Sequence, residues 1–171
     1  TKGRGIIRLH PHGERFEVTS YEHDEDDIYS LSHNSVYWLH EDKNHRIWVA
    51  TFGGGLNYME KTDNGEYVFI NSRNNLKGFP IDQCYRVRHV TSDSDGNIWV
   101  GTSDGVLCFK ENFKSPESIK FYHYVMDPTE TKSLSSNNVY HILCTQKGEV
   151  YMATFGGGLN KLEQLDAEGN A

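Results

Sequence analysis

The segment Arg46-Ile-Trp-Val-Ala-Thr-Phe-Gly-Gly-Gly-Leu-Asn57 decides the fold, because it returns almost unchanged as Glu149-Val-Tyr-Met-Ala-Thr-Phe-Gly-Gly-Gly-Leu-Asn160. A third copy, Asn97-Ile-Trp-Val-Gly-Thr-Ser-Asp-Gly-Val-Leu107, lies between them. The threonines of the three copies are separated by 51 and 52 residues. Self-similarity at a fixed period is the sequence signature of a repeat architecture.

The repeat extends upstream of this segment. Leu31-Ser-His-Asn34-Ser-Val-Tyr37 corresponds to Leu134-Ser-Ser-Asn137-Asn138-Val-Tyr140 at an offset of 103 residues. Tyr21 and Asp24 fall on Tyr124 and Asp127 at the same offset. One register is therefore kept over most of each unit.

The pattern within a unit is that of β-strands. An unbroken apolar run, such as Ile47-Trp-Val-Ala50, predicts a strand with both faces buried, because successive side chains of a strand point to opposite faces. A glycine turn leads to a third strand at 56–58 or 107–109, and a fourth follows at 67–70 or 119–122. Four antiparallel strands in about 50 residues are typical of a β-propeller blade. We therefore predict an all-β fold, a β-propeller fragment of about three blades.

Eight residues define the repeat positions that we interpret as structural. They are the strand aromatics, the threonines that follow them and the glycines that begin the third strand: Trp48, Trp99, Tyr151, Thr51, Thr102, Thr154, Gly55 and Gly158. A buried strand explains the aromatics better than stacking on a sugar does, and tight turns explain the glycine runs better than a phosphate-binding loop.

The repeat divides the chain into four parts of one domain. The first and last parts are incomplete blades, because the chain enters and leaves in the middle of a blade. Residues 1–30 supply the C-terminal strands of one blade, 31–81 and 82–133 are full blades, and 134–165 supply three strands of a further blade. The first part could complete the last one. Three blades are fewer than the 4–8 of a closed ring, so the unpaired edges predict self-association into a homo-oligomer.

Composition excludes several classes of partner. The net charge of −7 and the lack of clustered Lys and Arg argue against nucleic acid, and no apolar run is long enough to span a membrane. We predict no metal and no cofactor. Cys84, Cys108 and Cys144 have no metal-type spacing, and we interpret them as buried thiols, with a disulfide between two of them left open.

The repeat resembles the two-component regulator propeller family. The segments that carry the resemblance are Asp93-Ser-Asp-Gly-Asn-Ile-Trp-Val-Gly-Thr102 and Trp48-Val-Ala-Thr-Phe-Gly-Gly-Gly-Leu-Asn57. Tyr151 in place of Trp and the segment 103–106 in place of the glycine run are departures. The resemblance implies a periplasmic sensor of a Bacteroidetes hybrid two-component regulator that responds to oligosaccharides. The parent polypeptide would carry a histidine kinase, and this chain would not be an enzyme.

Candidate ligand-binding residues lie where a blade's second strand meets the inter-blade connection. In propellers these two segments share one face of the ring, so aromatic, amide and guanidinium groups there would form a carbohydrate-binding surface. The candidates are Phe52, Phe155, Asn34, Asn137, Asn138 and Arg73.

Two other classes of function stay open from the sequence. Propellers also host hydrolases and lyases that act on polysaccharides, but the repeats offer no matched pair of carboxylates and therefore no catalytic residues to name. The third class is a protein-binding scaffold, which a broad apolar surface patch would favour.

Overall fold

A computed structural model gives the structure of the chain and describes residues 3–163 and residue 165. It consists of four antiparallel sheets that follow one another along the chain, with one short helix, α1 (Ile81–Cys84), and a single 3₁₀ turn at Pro116–Ser118 among the described residues. This confirms the predicted all-β fold with four-stranded antiparallel blades.

Each sheet is an up-and-down meander in chain order. The N-terminal hairpin consists of β1 (Ile6–His12) and β2 (Arg15–Tyr21). The first blade has four strands, which are β3 (Val36–Glu41), β4 (Ile47–Thr51), β5 (Gly55–Lys61) and β6 (Tyr67–Ile70). The second blade also has four, which are β7 (Val87–Ser92), β8 (Asn97–Thr102), β9 (Gly105–Lys110) and β10 (Tyr122–Tyr124). The third blade contains β11 (Val139–Cys144), β12 (Val150–Thr154) and β13 (Gly158–Lys161).

Apolar side chains hold neighbouring blades together. Between the first and second blades, Trp48 and Leu56 pack with Phe109 and other residues of β8 and β9. Between the second and third blades, Trp99 packs with Val139. Each blade presents its apolar residues to the next, and burial of this area is the main stabilising contribution to the arc.

The second strand of each inner blade is buried on both faces, as its unbroken apolar run predicts. Adjacent residues Ile98 and Trp99 lie in different interfaces, and both are fully buried. In the third blade Ala153 is exposed, because no further sheet covers that face of β12 among the described residues. The same sequence pattern therefore gives different burial according to position in the arc.

The glycine turn after the second strand needs glycine for two reasons. Gly53 and Gly55 have φ angles of 141° and 73°, a region that side chains disfavour. Gly54 passes so close to the preceding connection that a Cβ there would lie 2.4 Å from Ser32 Oγ. This confirms the prediction of a tight turn.

Two local features differ from the sequence prediction. The fourth strand of the second blade was expected at 119–122 but is paired only over Tyr122–Tyr124, because Ile119 ends the 3₁₀ turn and packs into the core ahead of the ladder. Helix α1 was not predicted, since a single turn after Pro80 is too short to produce helical periodicity.

The N-terminal hairpin packs on the first blade. Ile6 and Tyr21 contact a cluster of Leu31, Val49 and Phe69, and the hairpin forms a sheet separate from that of the third blade. The hairpin is thus the neighbour of the first blade, and over the described residues it is not paired with the strands of the third.

The three cysteines are free thiols. Cys84 and Cys108 are buried and Cys144 is half-buried. No helix of the described part of the chain has the length and apolar character needed to cross a membrane.

Candidate functional site: an inner row of aromatic and arginine side chains

The first strand of every blade contains a β-bulge at the same repeat position. The register shifts between Val36 and Trp38, between Val87 and His89, and between Val139 and His141. The extra residues are Tyr37, Arg88 and Tyr140. Because a bulge redirects one side chain out of the regular alternation, these three are set apart from the packed faces of their strands.

The bulged strands line the inside of the arc. β7 contacts both β3 and β11, whereas the fourth strands lie at the opposite edges of their sheets. The three bulged side chains are therefore brought together from three consecutive blades. Tyr37 and Tyr140 are 103 residues apart in sequence, but the fold places both on the same inner surface.

These side chains form one continuous series of contacts with the phenylalanines of the glycine turns. Phe52 stacks on Tyr37 with ring centroids 4.9 Å apart and an interplanar angle of 18°. The Arg88 guanidinium carbon lies 5.2 Å from the Phe52 centroid and 4.3 Å from that of Tyr140. Tyr140 and Phe155 have centroids 5.9 Å apart. We call Tyr37, Phe52, Arg88, Tyr140 and Phe155 the inner row.

Much of the inner row is open to solvent. Tyr37 is 55% exposed, Tyr140 50% and Phe155 69%, while Phe52 and Arg88 are half-buried between them. Large aromatic side chains exposed side by side, rather than singly, mark a surface that can bind a partner or ligand. A shallow depression of about 360 Å³ over Val36–Leu39 continues the row along β3.

A second arginine adjoins the row. The Arg86 guanidinium carbon lies 5.4 Å from the Phe52 centroid and 4.8 Å from that of Tyr85, and its backbone forms a β-bridge with Phe52. Two guanidinium groups therefore face the same aromatic ring, which gives this part of an acidic chain a local positive charge.

Unsatisfied polar atoms lie at the row. Among the described residues three buried side-chain atoms have no hydrogen-bond partner, and two of them are Arg88 Nη1 and Asn138 Oδ1. A buried donor or acceptor without a partner costs about 1–3 kcal/mol in free energy. Such atoms are uncommon in native proteins, and water or an ion can supply the missing partner.

The six residues predicted from the sequence to bind a ligand do not all lie at the inner row. Phe52 and Phe155 lie in the inner row, and Asn138 lies beside it, where its backbone oxygen accepts the amide of Phe155. The other three are Asn34, Asn137 and Arg73, and each is engaged by the chain itself.

Asn34 and Asn137 connect each blade to the loop before it. Asn34 Oδ1 accepts the amide of His23 at 2.7 Å, and Asn137 Oδ1 accepts the amide of Met126 at 2.6 Å. Arg73 lies away from the row, where its guanidinium donates to the carbonyls of Asp24 and Glu25 at 3.0 and 2.9 Å. These contacts give all three a structural task.

The residues predicted from the sequence to bind a ligand did not include four that lie at the row, which are Tyr37, Arg86, Arg88 and Tyr140. Their signal was the repeat position itself, because Tyr37 and Tyr140 stand at the offset of 103 residues and Arg88 takes their place in the middle unit. The pattern of apolar residues gave no sign of a bulge.

A ladder of rings lies next to the row. Trp38, His89 and His141 occupy equivalent positions, with ring centroids of His89 4.5 Å from Trp38 and 4.0 Å from His141. His89 is buried, and its Nδ1 accepts the amide of Ile142 at 3.3 Å. Burial, together with the neighbouring His141 and His40, lowers the pKa of His89 to about 3. This histidine is therefore a neutral packing group at physiological pH.

No group of three or more His, Cys, Asp or Glu side chains is placed to bind a metal in residues 3–163 or at residue 165. Two segments of the chain, residues 30–53 and 83–104, match the family described as two component regulator propeller. The two matched segments contain the first, bulged strand and the second, buried strand of the first and second blades. No relative among the curated proteins matches the chain.

The chain aligns with solved structures of extracellular domains, and one of them, with a TM-score above 0.5, supports the same fold. The extracellular domain of BT4673 from B. thetaiotaomicron, described as a hybrid two component system, aligns over 98% of this chain and 25% of its own, with 18% sequence identity and a TM-score of 0.61. The extracellular domain of BT3049 from the same organism aligns over 84% of this chain and 29% of its own, with 18% identity and a TM-score of 0.35. The chain spans between a quarter and a third of the length of these structures.

Proposed function

We propose that the chain, two segments of which match the two component regulator propeller family, is a ligand-sensing segment of a two-component regulator and that it binds an oligosaccharide at the inner row. In this proposal the chain lies in the periplasm and has no catalytic role, and a histidine kinase in the parent polypeptide reads the bound state.

The observation that carries the proposal is the continuity of the inner row across three blades. Aromatic faces bind the apolar faces of sugar rings, and guanidinium and amide groups bind hydroxyls. Tyr37, Phe52, Tyr140 and Phe155 supply the aromatic faces, and Arg88 joins the two aromatic pairs. A ligand that contacts several blades would favour one arrangement of those blades over others. Such a shift of conformation on binding is what a sensor needs.

A hydrolase or lyase is the alternative class, and the composition of the row does not favour it. Glycoside hydrolysis usually needs two carboxyl groups that flank the scissile bond. None of the five residues of the inner row is an acid. The same experiment distinguishes the two classes, because an enzyme consumes the sugar that it binds.

Self-association is a second part of the proposal. The hairpin exposes Ile7, Leu9, Phe16 and Val18 on one face, and the third blade exposes Leu143 and Leu159 at the other end of the arc. Leu9 takes the repeat position of Phe109, and Leu159 that of Val106, and both of these counterparts are buried between blades. Head-to-tail packing of two copies would thus repeat the contact that blades make within the chain.

The test is a thermal-shift screen of the chain against a panel of defined oligosaccharides, with each sugar analysed afterwards for turnover. A ligand that binds the folded state raises the melting temperature in a concentration-dependent way. We expect one glycan class to raise it and to be recovered intact. Consumption of the sugar would indicate an enzyme, and the lack of a shift with every sugar would contradict the proposal.

Phe155→Ala is the matched variant for this screen. Phe155 is 69% exposed, so its removal is expected to leave the fold intact and to weaken binding, because the sugar loses one aromatic face on which to pack. Ile28→Ala is the control, because Ile28 is 48% exposed and lies in the loop between the hairpin and the first blade, outside both the row and the proposed association surface. Equal losses in both variants would contradict binding at the inner row.

A further inference from the structure

The middle blade departs from the repeat at every position that contributes to the inner row. The bulged position is Tyr37 in the first blade and Tyr140 in the third, but Arg88 in the second. The turn position is Phe52 and Phe155 in the outer two, but Ser103 in the middle one. The substitutions thus replace an aromatic pair with a guanidinium and a small hydroxyl.

The backbone shows that these positions are equivalent. The amides of Phe52, Ser103 and Phe155 donate to the carbonyls of Ser35, Arg86 and Asn138, at 2.8, 3.1 and 2.8 Å respectively. The contacts also place Arg86 where the other blades have the short polar side chains of Ser35 and Asn138. Both arginines are therefore departures from the repeat on an unchanged backbone.

The geometry creates a charged position between two aromatic pairs. Tyr37 with Phe52 lies on one side of Arg88, and Tyr140 with Phe155 lies on the other. Ser103 is half-buried and supplies no ring to fill the space that a phenylalanine occupies in the other blades.

Neither arginine has an acidic partner within the described part of the chain. The ion pairs there are made by Lys43, His45, Arg46 and Lys161, although the chain has more acidic than basic residues. Arg88 Nη1 is buried and has no hydrogen-bond partner among the described residues. Arg86 is exposed and Arg88 is half-buried. Guanidinium groups that lie on aromatic faces and have no carboxylate partner can bind an anion from outside the chain.

We infer that the inner row recognises an acidic sugar, whose carboxylate or sulfate is bound by Arg88 and Arg86 while the flanking sugar rings stack on the aromatic pairs. The inference rests on the proposed function and specifies its ligand class. Carboxylate and sulfate share the chemistry in question, since both present two oxygens to the planar fork of a guanidinium.

Calorimetric titration of the chain with three probes tests the inference. The probes are tetragalacturonate, its neutral methyl ester and a carrageenan tetrasaccharide that carries sulfate but no carboxylate. We expect at least one acidic probe to bind about tenfold or more tightly than the neutral ester, because a charge-assisted hydrogen bond is worth at least that factor. Its affinity should also fall as sodium chloride is added.

The matched variant restores the repeat. Arg86→Ser with Arg88→Tyr gives these two positions the residues that the first blade has at 35 and 37 and leaves Ser103 in place, so we expect it to fold, with a melting temperature near that of the parent chain. The preference for the acidic probe over the neutral one should fall to about twofold or less, as expected when the charged hydrogen bonds are removed. Arg15→Gln on β2 removes the same charge outside the row and should leave the preference unchanged.

The outcomes separate this inference from the proposed function. If neutral and acidic probes bind equally, or if the repeat-restoring variant keeps the preference for acid, then the acidic-sugar inference is wrong and the oligosaccharide sensor stands. If none of these probes binds and the wider screen gives no thermal shift, both fail. Loss of the preference in Arg15→Gln as well would also overturn the inference, since it would show a non-specific effect of net charge.

Discussion

Asp93 accepts a hydrogen bond from the indole of Trp99, with Oδ2 and Nε1 2.7 Å apart, and its other oxygen accepts the amides of Asp95 and Asn97, both at 2.9 Å. One buried carboxylate thus closes the turn between β7 and β8 and orients the ring that packs against the third blade. Asp42 makes the same bonds to Trp48 and to the turn amides of the first blade. The six-residue spacing of Asp and Trp in the repeat follows from this single arrangement.

The first prediction concerns this carboxylate. Asp93→Ala leaves two buried donors, the Trp99 Nε1 proton and the Asn97 amide, without an acceptor, as well as the part-buried amide of Asp95. We expect the free energy of unfolding to fall by about 2–3 kcal/mol, measured by urea denaturation.

Asp95→Ala is the control, because Asp95 lies in the same turn and is exposed. It should change the free energy of unfolding by less than about 0.5 kcal/mol. Equal effects of the two substitutions would show that the turn, and not the bond to Trp99, carries the stability.

Much of the fold could be predicted because the repeat carries it. The unbroken apolar run around Trp48 or Trp99 indicates a strand buried on both faces, and recurrence at a fixed spacing indicates stacked sheets. The start of β10 and helix α1 were not predicted, because Ile119 looks like a strand residue in sequence and one helical turn has no periodicity.

Of the five residues of the inner row, only Phe52 and Phe155 could be predicted from the sequence. Phe52 and Phe155 stand out beside the glycine runs, whereas Tyr37, Arg88 and Tyr140 become neighbours through β-bulges that no apolar pattern reveals. Arg73 was expected at the ligand surface because guanidinium groups bind sugars, but its partners are the backbone carbonyls of a loop about 50 residues earlier in the chain. Residue type alone does not separate these two uses of an arginine.

The second prediction is a loss of stability in mild acid. The pKa of His89 is lowered by burial and by its histidine neighbours to about 3, from 6.5 in the unfolded chain. Between these values the unfolded chain binds a proton that the folded chain does not, so stability falls as the pH falls. From pH 7 to pH 5 this residue should account for about 2 kcal/mol of the free energy of unfolding.

His89→Asn tests the assignment, because the amide oxygen can accept the Ile142 amide that His89 Nδ1 accepts at 3.3 Å, and it does not titrate. Urea denaturation of this variant should show a weaker pH dependence between pH 7 and pH 5. Part of the pH dependence should remain in this variant, because burial also lowers the pKa of His40. An unchanged pH dependence would contradict the burial of His89.

The third prediction is that the native thiols are unreactive. Burial raises the pKa of Cys84 to about 11 and those of Cys108 and Cys144 to about 12. Since the thiolate is the reactive form, labelling by a disulfide reagent at pH 8 should be about 100-fold slower or more in the folded chain than in urea. One rapidly labelled equivalent in the folded chain would contradict this, and we would assign it first to half-buried Cys144.

The fourth prediction concerns association of copies. Leu159→Asp places a charge on the exposed face of the third blade, and Phe16→Asp does so on the hairpin. If copies pack head to tail, light scattering should show association of the parent chain with rising concentration, and each variant should weaken it, because burying an unpaired charge is costly.

Ile28→Asp is the control, because Ile28 is 48% exposed and lies in the loop between the hairpin and the first blade. It should leave association unchanged. A parent chain that stays monomeric at all concentrations would contradict the proposal.

Binding of an oligosaccharide at the inner row can be mapped by NMR, using aromatic labels and a sugar that raises the melting temperature of the chain. We predict that the perturbed signals belong to Tyr37, Phe52, Tyr140 and Phe155, while Phe16 is unaffected. Perturbations centred instead on the groove of about 720 Å³ between Tyr124 and Lys161, with the inner row unchanged, would contradict it.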